Sequence, residues 1–397
     1  MLRKTFLAVA ATGVLTVGLI APPGASATHQ SWNFRPVVTG LDEPRGLAFD
    51  GQGSLYVAEA GYAGSGTAGV THTGAVSKFR WAGGDLAASW SKSFTSIYTQ
   101  EGGDAAVLGP AAVAATGTGC TLRHPTERRG CQVQALLSES RRDLQGDAGI
   151  TVPQVGHLYR FKGATGRHWS RANVGDQDYA WTTRHQQLFP DDFPDANPYA
   201  LATIKRRHPA DGDWDADDTR TFVADAGANT ISQVLPNGRT RVIAYIPNET
   251  SGAMRDSTPT CIAQGPDGML YVGALDLASN FAVGPGQSNV WRVNPNSTRW
   301  RHNATIWASG FTTINGCTFD KAGNFWASEL FYPNDSGAPG DLAMAPFDDS
   351  SAITHIGGGS VPLPGGIAQG PDGAMYVSIG AADPTAHSGG ILRVSTD

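Results

Sequence analysis

The chain has 397 residues and a formal net charge of −6, with only 16% charged residues against 50 glycines and 24 prolines. That composition suits short strands and tight turns rather than long helices, and no basic stripe interleaved with aromatics offers a nucleic-acid surface. Four cysteines fit an exported protein with two disulfides, and no Cys-x-x-Cys or Cys/His cluster accompanies them to make a zinc site.

The first element is a targeting segment. Arg3 and Lys4 precede an apolar run over residues 5–20, and Ala25-Ser26-Ala27 supplies the small-x-small pattern of a signal-peptidase site. Residues 1–27 are therefore read as a signal peptide and 28–397 as one secreted domain. The apolar run is short for a bilayer span of ~20 residues, so no membrane span is expected after cleavage.

A lone strand over residues 35–41 comes next, and after it a series of similar hairpins. PRGLAFDGQGSLYVAEAG starts at Pro44, a degraded copy at Pro110, and a copy with an enlarged turn at Pro198, returning as RTFVADAG from Arg220. PTCIAQGPDGMLYVGAL starts at Pro259, NGCTFDKAGNFWASEL at Asn315, and PGGIAQGPDGAMYVSIG at Pro364. Each reads as a strand, a Gly/Asp turn and a second strand, and further strands such as GHLYRF and GGILRVS complete the units. Six units of four antiparallel strands predict an all-β, six-bladed β-propeller. The last unit shows three strands, and residues 35–41 are placed to supply the fourth, closing the ring and hiding an edge.

Because the first two strands of a blade run antiparallel, the start of one lies beside the end of the other, at the mouth of the central channel. Aligned through the turn glycines, the inner-strand starts are Arg45, Tyr199, Thr260, Asn315 and Gly365. The second-strand ends include Glu59, Asp225 and Glu329. Asp195, Asn197, Asn229, Asp276 and His387 border the same mouth. Three carboxylates at matching positions either cap turns or pair with Arg45, or they form a ligand, cation or acid–base site; carboxylates with Asn carbonyls suit Ca2+ or another hard divalent cation. A second acidic set, Asp211, Asp213, Asp215 and Asp217, resembles a calcium loop. Its spacing fails to give the required glycine and twelfth-position Glu together, which favours a solvated acidic turn.

Cys120 and Cys131 share one loop-rich excursion and are paired on that ground, leaving Cys261 with Cys317; four cysteines permit three pairings. Cys261 and Cys317 fall on the innermost strands of neighbouring units, facing each other across the boundary or both facing away.

The Pro44 hairpin, Asn197-Pro198-Tyr199, FVADAGANTISQVLPNG from Phe222 and the two GPDG hairpins together resemble the ScyD/ScyE family of exported propellers over nearly the whole mature chain. The resemblance implies this fold and an extracytoplasmic setting. The chain departs from the family pattern at Ala274, where an acidic residue often stands, and around Cys120 and Cys131. Gluconolactonase-like propellers hold a divalent metal with Glu, Asn, Asn and Asp at the mouth; among the inner-strand starts here only Asn315 fits that set. The expected function is binding of a small molecule, glycan or protein partner at the channel mouth by a monomer. The alternative is an extracytoplasmic enzyme using Glu59, Asp225 and Glu329.

Overall fold

The repeated hairpin turn is built around one aspartate. Asp50 Oδ1 accepts from the N–H groups of Gln52 and Ser54, while Oδ2 accepts from Tyr56 Oη at 3.0 Å. Asp267 repeats this with Met269 N–H and Tyr271 Oη, and Asp372 with Ala374 N–H and Tyr376 Oη. In the Asn315 copy, Asp320 holds Asn324 N–H and the Trp326 indole. The glycine in each turn, Gly53, Gly268, Gly373 or Gly323, sits at positive φ. The local Gly/Asp pattern thus fixes where the chain reverses and anchors the first aromatic of the returning strand.

The computed structural model describes residues 31–396 apart from 64–68, 83, 102–103, 117–131, 190–192, 208–213, 249–255 and 332–339. The expected signal peptide, the Cys120–Cys131 pair and the acidic residues Asp211 and Asp213 lie outside the described residues. Asp215 and Asp217 lie on the strand Trp214–Asp225, and their side chains are likewise outside the description.

The strands form six antiparallel sheets around a ring. Their innermost strands are Pro44–Phe49, Pro110–Thr116, Pro198–Arg207, Pro259–Gln264, Ile314–Phe319 and Ile367–Gln369. Each innermost strand contacts the next, and the last contacts the first. Blade one carries an additional fifth strand, Asp104–Leu108. In blade six the outermost strand is Trp32–Leu41, paired antiparallel with Gly389–Thr396. The protein is a six-bladed β-propeller.

The core lies between blades. Tyr271, Val290 and Phe311 of blade four pack on Phe325, Ala327 and Ala343 of blade five, and equivalent clusters fill the other seams. Alternation along each strand sends successive side chains to opposite seams, which is why the second strands are apolar on both faces. A disulfide joins Cys261 to Cys317 across the seam between blades four and five, with Cα atoms 5.5 Å apart.

Three α-helices stand in the loops among the described residues: Arg141–Ala148, Val174–Arg184 and Leu277–Val283. Sequence reasoning missed them because they are short and lack a strong apolar period. The first two are instead set by caps, the Ser140 and Asn173 side chains accepting from the N–H groups of Asp143 and Asp176. No described helix is long and apolar enough to cross a membrane.

Candidate functional site at the channel mouth

At the mouth, blades one, three, four and five make the same backbone closure. The residue after the second strand donates its N–H to the carbonyl of the residue just before the inner strand: Ala60 to Glu43, Leu275 to Thr258, Leu330 to Thr313 and Ala226 to Asn197. Glu43, Thr258, Thr313 and Leu363 adopt left-handed backbone, with φ between 42° and 46°. Such residues cost of order 1 kcal/mol or more each and persist only where their surroundings over-determine them. Here the closure bonds hold them, and they direct the chain into the ring.

The predicted carboxylates serve this closure. Glu59 accepts from Asp42 N–H at 3.1 Å and from Ser77 Oγ on the third strand. Asp225 accepts from the N–H groups of Asn197, Gly227 and Ala228 at 2.7, 3.1 and 2.8 Å. Glu329 accepts from Thr312 N–H at 2.8 Å. In all three blades the carboxylate holds the segment entering its own inner strand, and Glu59, Asp225 and Glu329 do not line the central cavity. Asn197 and Asn229 are also built into the frame: Asn197 accepts from Glu139 N–H, and Asn229 donates to Asn248 Oδ1. Asp276 precedes the helix Leu277–Val283 and accepts from Ser279 Oγ, and His387 lies against Asp42.

The inner-strand starts behave differently. Arg45, Tyr199, Thr260 and Asn315 line a central cavity of about 70 Å³, and Arg45, Tyr199 and Asn315 also floor a smaller one of about 20 Å³ above it. These side chains form a connected polar plug. Arg45 donates to Glu43 Oε1 and to the Val107 carbonyl at 2.7 Å, and its guanidinium stands 5.5 Å from the Tyr199 ring centre. Tyr199 Oη donates to Asn315 Oδ1 at 2.9 Å, Asn315 Nδ2 donates to the Pro364 carbonyl, and Thr260 donates to the Ile314 carbonyl.

Burial pushes the Glu43 carboxyl up to about 7 against the opposing pull of Arg45. It also raises the Tyr199 hydroxyl, so that Tyr199 is a neutral donor. A guanidinium fixed at the mouth opposes a cation there, and Asn315 has committed both ends of its amide. The residues present do not fit the gluconolactonase metal set.

Above the plug the wall turns apolar. Ala105, Ala106, Leu277, Leu330, Ala381 and Ala382 surround the smaller cavity. Phe281, one helical turn after Leu277, is 54% exposed and packs on Phe331 with ring centres 5.8 Å apart, and Val283 is 60% exposed. Sequence reasoning missed this rim because it comes from a loop helix and from residues just past second-strand ends, which carry no motif.

No protein-family model matches the chain, and no curated protein matches it. Among solved structures, a protein of unknown function from Bacteroides thetaiotaomicron aligns at TM-score 0.51 and 11% identity, covering 92% of this chain and 76% of that one. The holo form of the pyranose dehydrogenase PQQ domain from Coprinopsis cinerea aligns at TM-score 0.50 and 12% identity, covering 94% and 99%. A streptogramin B lyase aligns at TM-score 0.45 and 12% identity. At these identities the likeness is one of fold.

Proposed function

We propose that this chain is an exported binding propeller whose channel mouth seats a small molecule with an apolar body and a polar head. The observation that carries this is the layering of the mouth. Half-buried Leu277 and buried Leu330 line the cavity with Arg45, Tyr199 and Asn315, buried Phe331 packs behind them, and Phe281 and Val283 stand exposed at the outer edge of the same helix and wall. The cavity between them is too small to enclose the ligand, so its body rests on the rim and only its head approaches the plug. Binding is favoured over catalysis because Glu59, Asp225 and Glu329 are each engaged by backbone N–H groups of the frame. Export is supported by the signal-like residues 1–27, by the ScyD/ScyE resemblance and by the Cys261–Cys317 disulfide, which suits an oxidising compartment.

Anilinonaphthalene sulfonate, an apolar dye with a charged head, is a direct probe. The folded protein should bind it with enhanced fluorescence, and Phe281→Ser and Leu277→Ser should weaken that binding without lowering the unfolding midpoint by more than a few degrees. Equal dye binding by both variants, or none by the wild type, would remove the mouth as the site.

A further inference from the structure

Blade five contains a second polar cluster, which runs from Glu329 at the mouth outward to its third and fourth strands. Glu329 ends its second strand, Asp341 pairs opposite it on the third, and His355 lies on the fourth, opposite Ala343. By strand alternation all three share the face of Ala327 and Ala343, which packs against blade four. The side chains of Glu329 and Asp341 have no exposed surface. His355 Nδ1 stands 3.3 Å from Glu329 Oε2 and 3.7 Å from Asp341 Oδ2, and one donor atom from each residue lies within 4.8 Å of the others.

Apart from these contacts, Glu329 Oε2 and both oxygens of Asp341 lack a hydrogen-bond partner. Burial works against charge on Asp341 and raises its carboxyl to about 7, although the N–H groups of Leu342 and Gly359 pull the other way. Leaving a buried acceptor unpaired costs about 1–3 kcal/mol. A protonated His355 would balance one of the two carboxylates and leave the other uncompensated. The backbone also makes room here. Between the Gly340–Val361 and Leu342–Ile356 pairs the fourth strand bulges through Gly357, Gly358 and Gly359, all at positive φ. A Cβ at position 357 would stand 2.6 Å from Asp341 Oδ1.

We propose that Glu329, Asp341 and His355 bind one transition-metal dication of the zinc class in the seam between blades four and five. Donors of a tetrahedral zinc site, at bonds of about 2.0–2.1 Å, stand about 3.4 Å apart, close to the two distances measured from His355 Nδ1. One imidazole with two carboxylates selects zinc over calcium, which takes six to eight oxygens. The His355 side chain is 36% exposed, which gives the ion a path in and leaves a fourth position for water. Three outer strands of the blade would then be tied at one point. The site does not depend on the mouth ligand.

The test is calorimetric titration of the purified, untagged, chelator-stripped protein with zinc chloride, and separately with calcium chloride. The expected result is one tight zinc site per chain, a zinc-dependent rise in melting temperature, and a roughly 100-fold loss of affinity in His355→Gln and Asp341→Asn. His355 is partly exposed, so His355→Gln carries the test if Asp341→Asn fails to fold. Absence of zinc binding by the wild type, unchanged zinc affinity in His355→Gln, or calcium binding as tight as zinc would each overturn the proposal.

Discussion

Asp178, on the helix Val174–Arg184, and Asp225, at the end of blade three's second strand, are both wholly buried, and the charge of Asp225 adds to burial in raising the Asp178 carboxyl. Asp178 Oδ1 accepts from Ser232 Oγ at 2.9 Å, and Asp225 Oδ1 accepts from three backbone N–H groups. The second oxygen of each has no other hydrogen-bond partner. Burial raises Asp225 to about 6 although the N–H groups of Ala228, Asn197 and Gly227 hold it down. Burial first, and the charge of Asp225 second, put Asp178 well above the ordinary carboxylate value. With three N–H donors Asp225 holds a charge more readily than Asp178, which burial and the charge of Asp225 push toward its neutral form.

This pair sets a pH dependence. Above the unfolded carboxylate value near 4 the native state binds more protons than the unfolded state. Its stabilisation is therefore complete below that value and is lost as pH rises through about 6 and beyond. The slope is on the order of 1 kcal/mol per pH unit for each proton by which the two states differ. Asp178→Asn keeps the shape and removes the titration, so its stability relative to wild type should rise between pH 5 and pH 8. Calorimetric melts across that range measure it; a constant difference would contradict the raised Asp178 carboxyl.

The mouth ion pair should behave as a unit. Arg45 and Glu43 are both buried, with 6% and 2% of their surfaces exposed. Arg45→Met should destabilise by about 3–5 kcal/mol because it leaves Glu43 unpaired, and adding Glu43→Gln should recover much of that loss. Urea unfolding of the four proteins in the cycle gives the coupling directly. Additive losses would show that the two side chains act independently.

Glu59 should matter for stability and not for the mouth ligand. Glu59→Ala strands the Asp42 N–H and leaves the Ser77 hydroxyl only Ser91 as partner; it should cost about 2 kcal/mol, with Glu59→Gln nearer 1 kcal/mol. Dye binding by the folded variants should match the wild type. A loss of dye binding with unchanged unfolding would return Glu59 to the site.

The Cys261–Cys317 bridge closes a loop of sequence separation 56 between neighbouring inner strands. On the chain-entropy account such a loop is worth roughly 4 kcal/mol. Cys261→Ala with Cys317→Ala should therefore lower the urea midpoint clearly, and reduction of the wild type should reproduce the shift.

The hairpin repeats were legible because their chemistry is local. A turn aspartate, a positive-φ glycine and the first aromatic of the returning strand lie within seven residues of one another, as in Asp50, Gly53 and Tyr56. Repetition of that unit determined the six blades and brought Arg45, Tyr199, Thr260 and Asn315 to one channel. Where each side chain points was decided only by the assembled ring. Glu59, Asp225 and Glu329 hold matching positions, yet each is held by an N–H donor from the segment entering its own blade. Asp178, Phe281, Asp341 and His355 reach their partners from two helices and from outer strands that no short motif marks. Sequence order records which residues are neighbours along the chain, whereas burial, unpaired polar atoms and charge compensation are properties of packing across seams. For that reason the propeller could be read from the chain, while the polar plug, the apolar rim and the cluster in blade five required the folded protein.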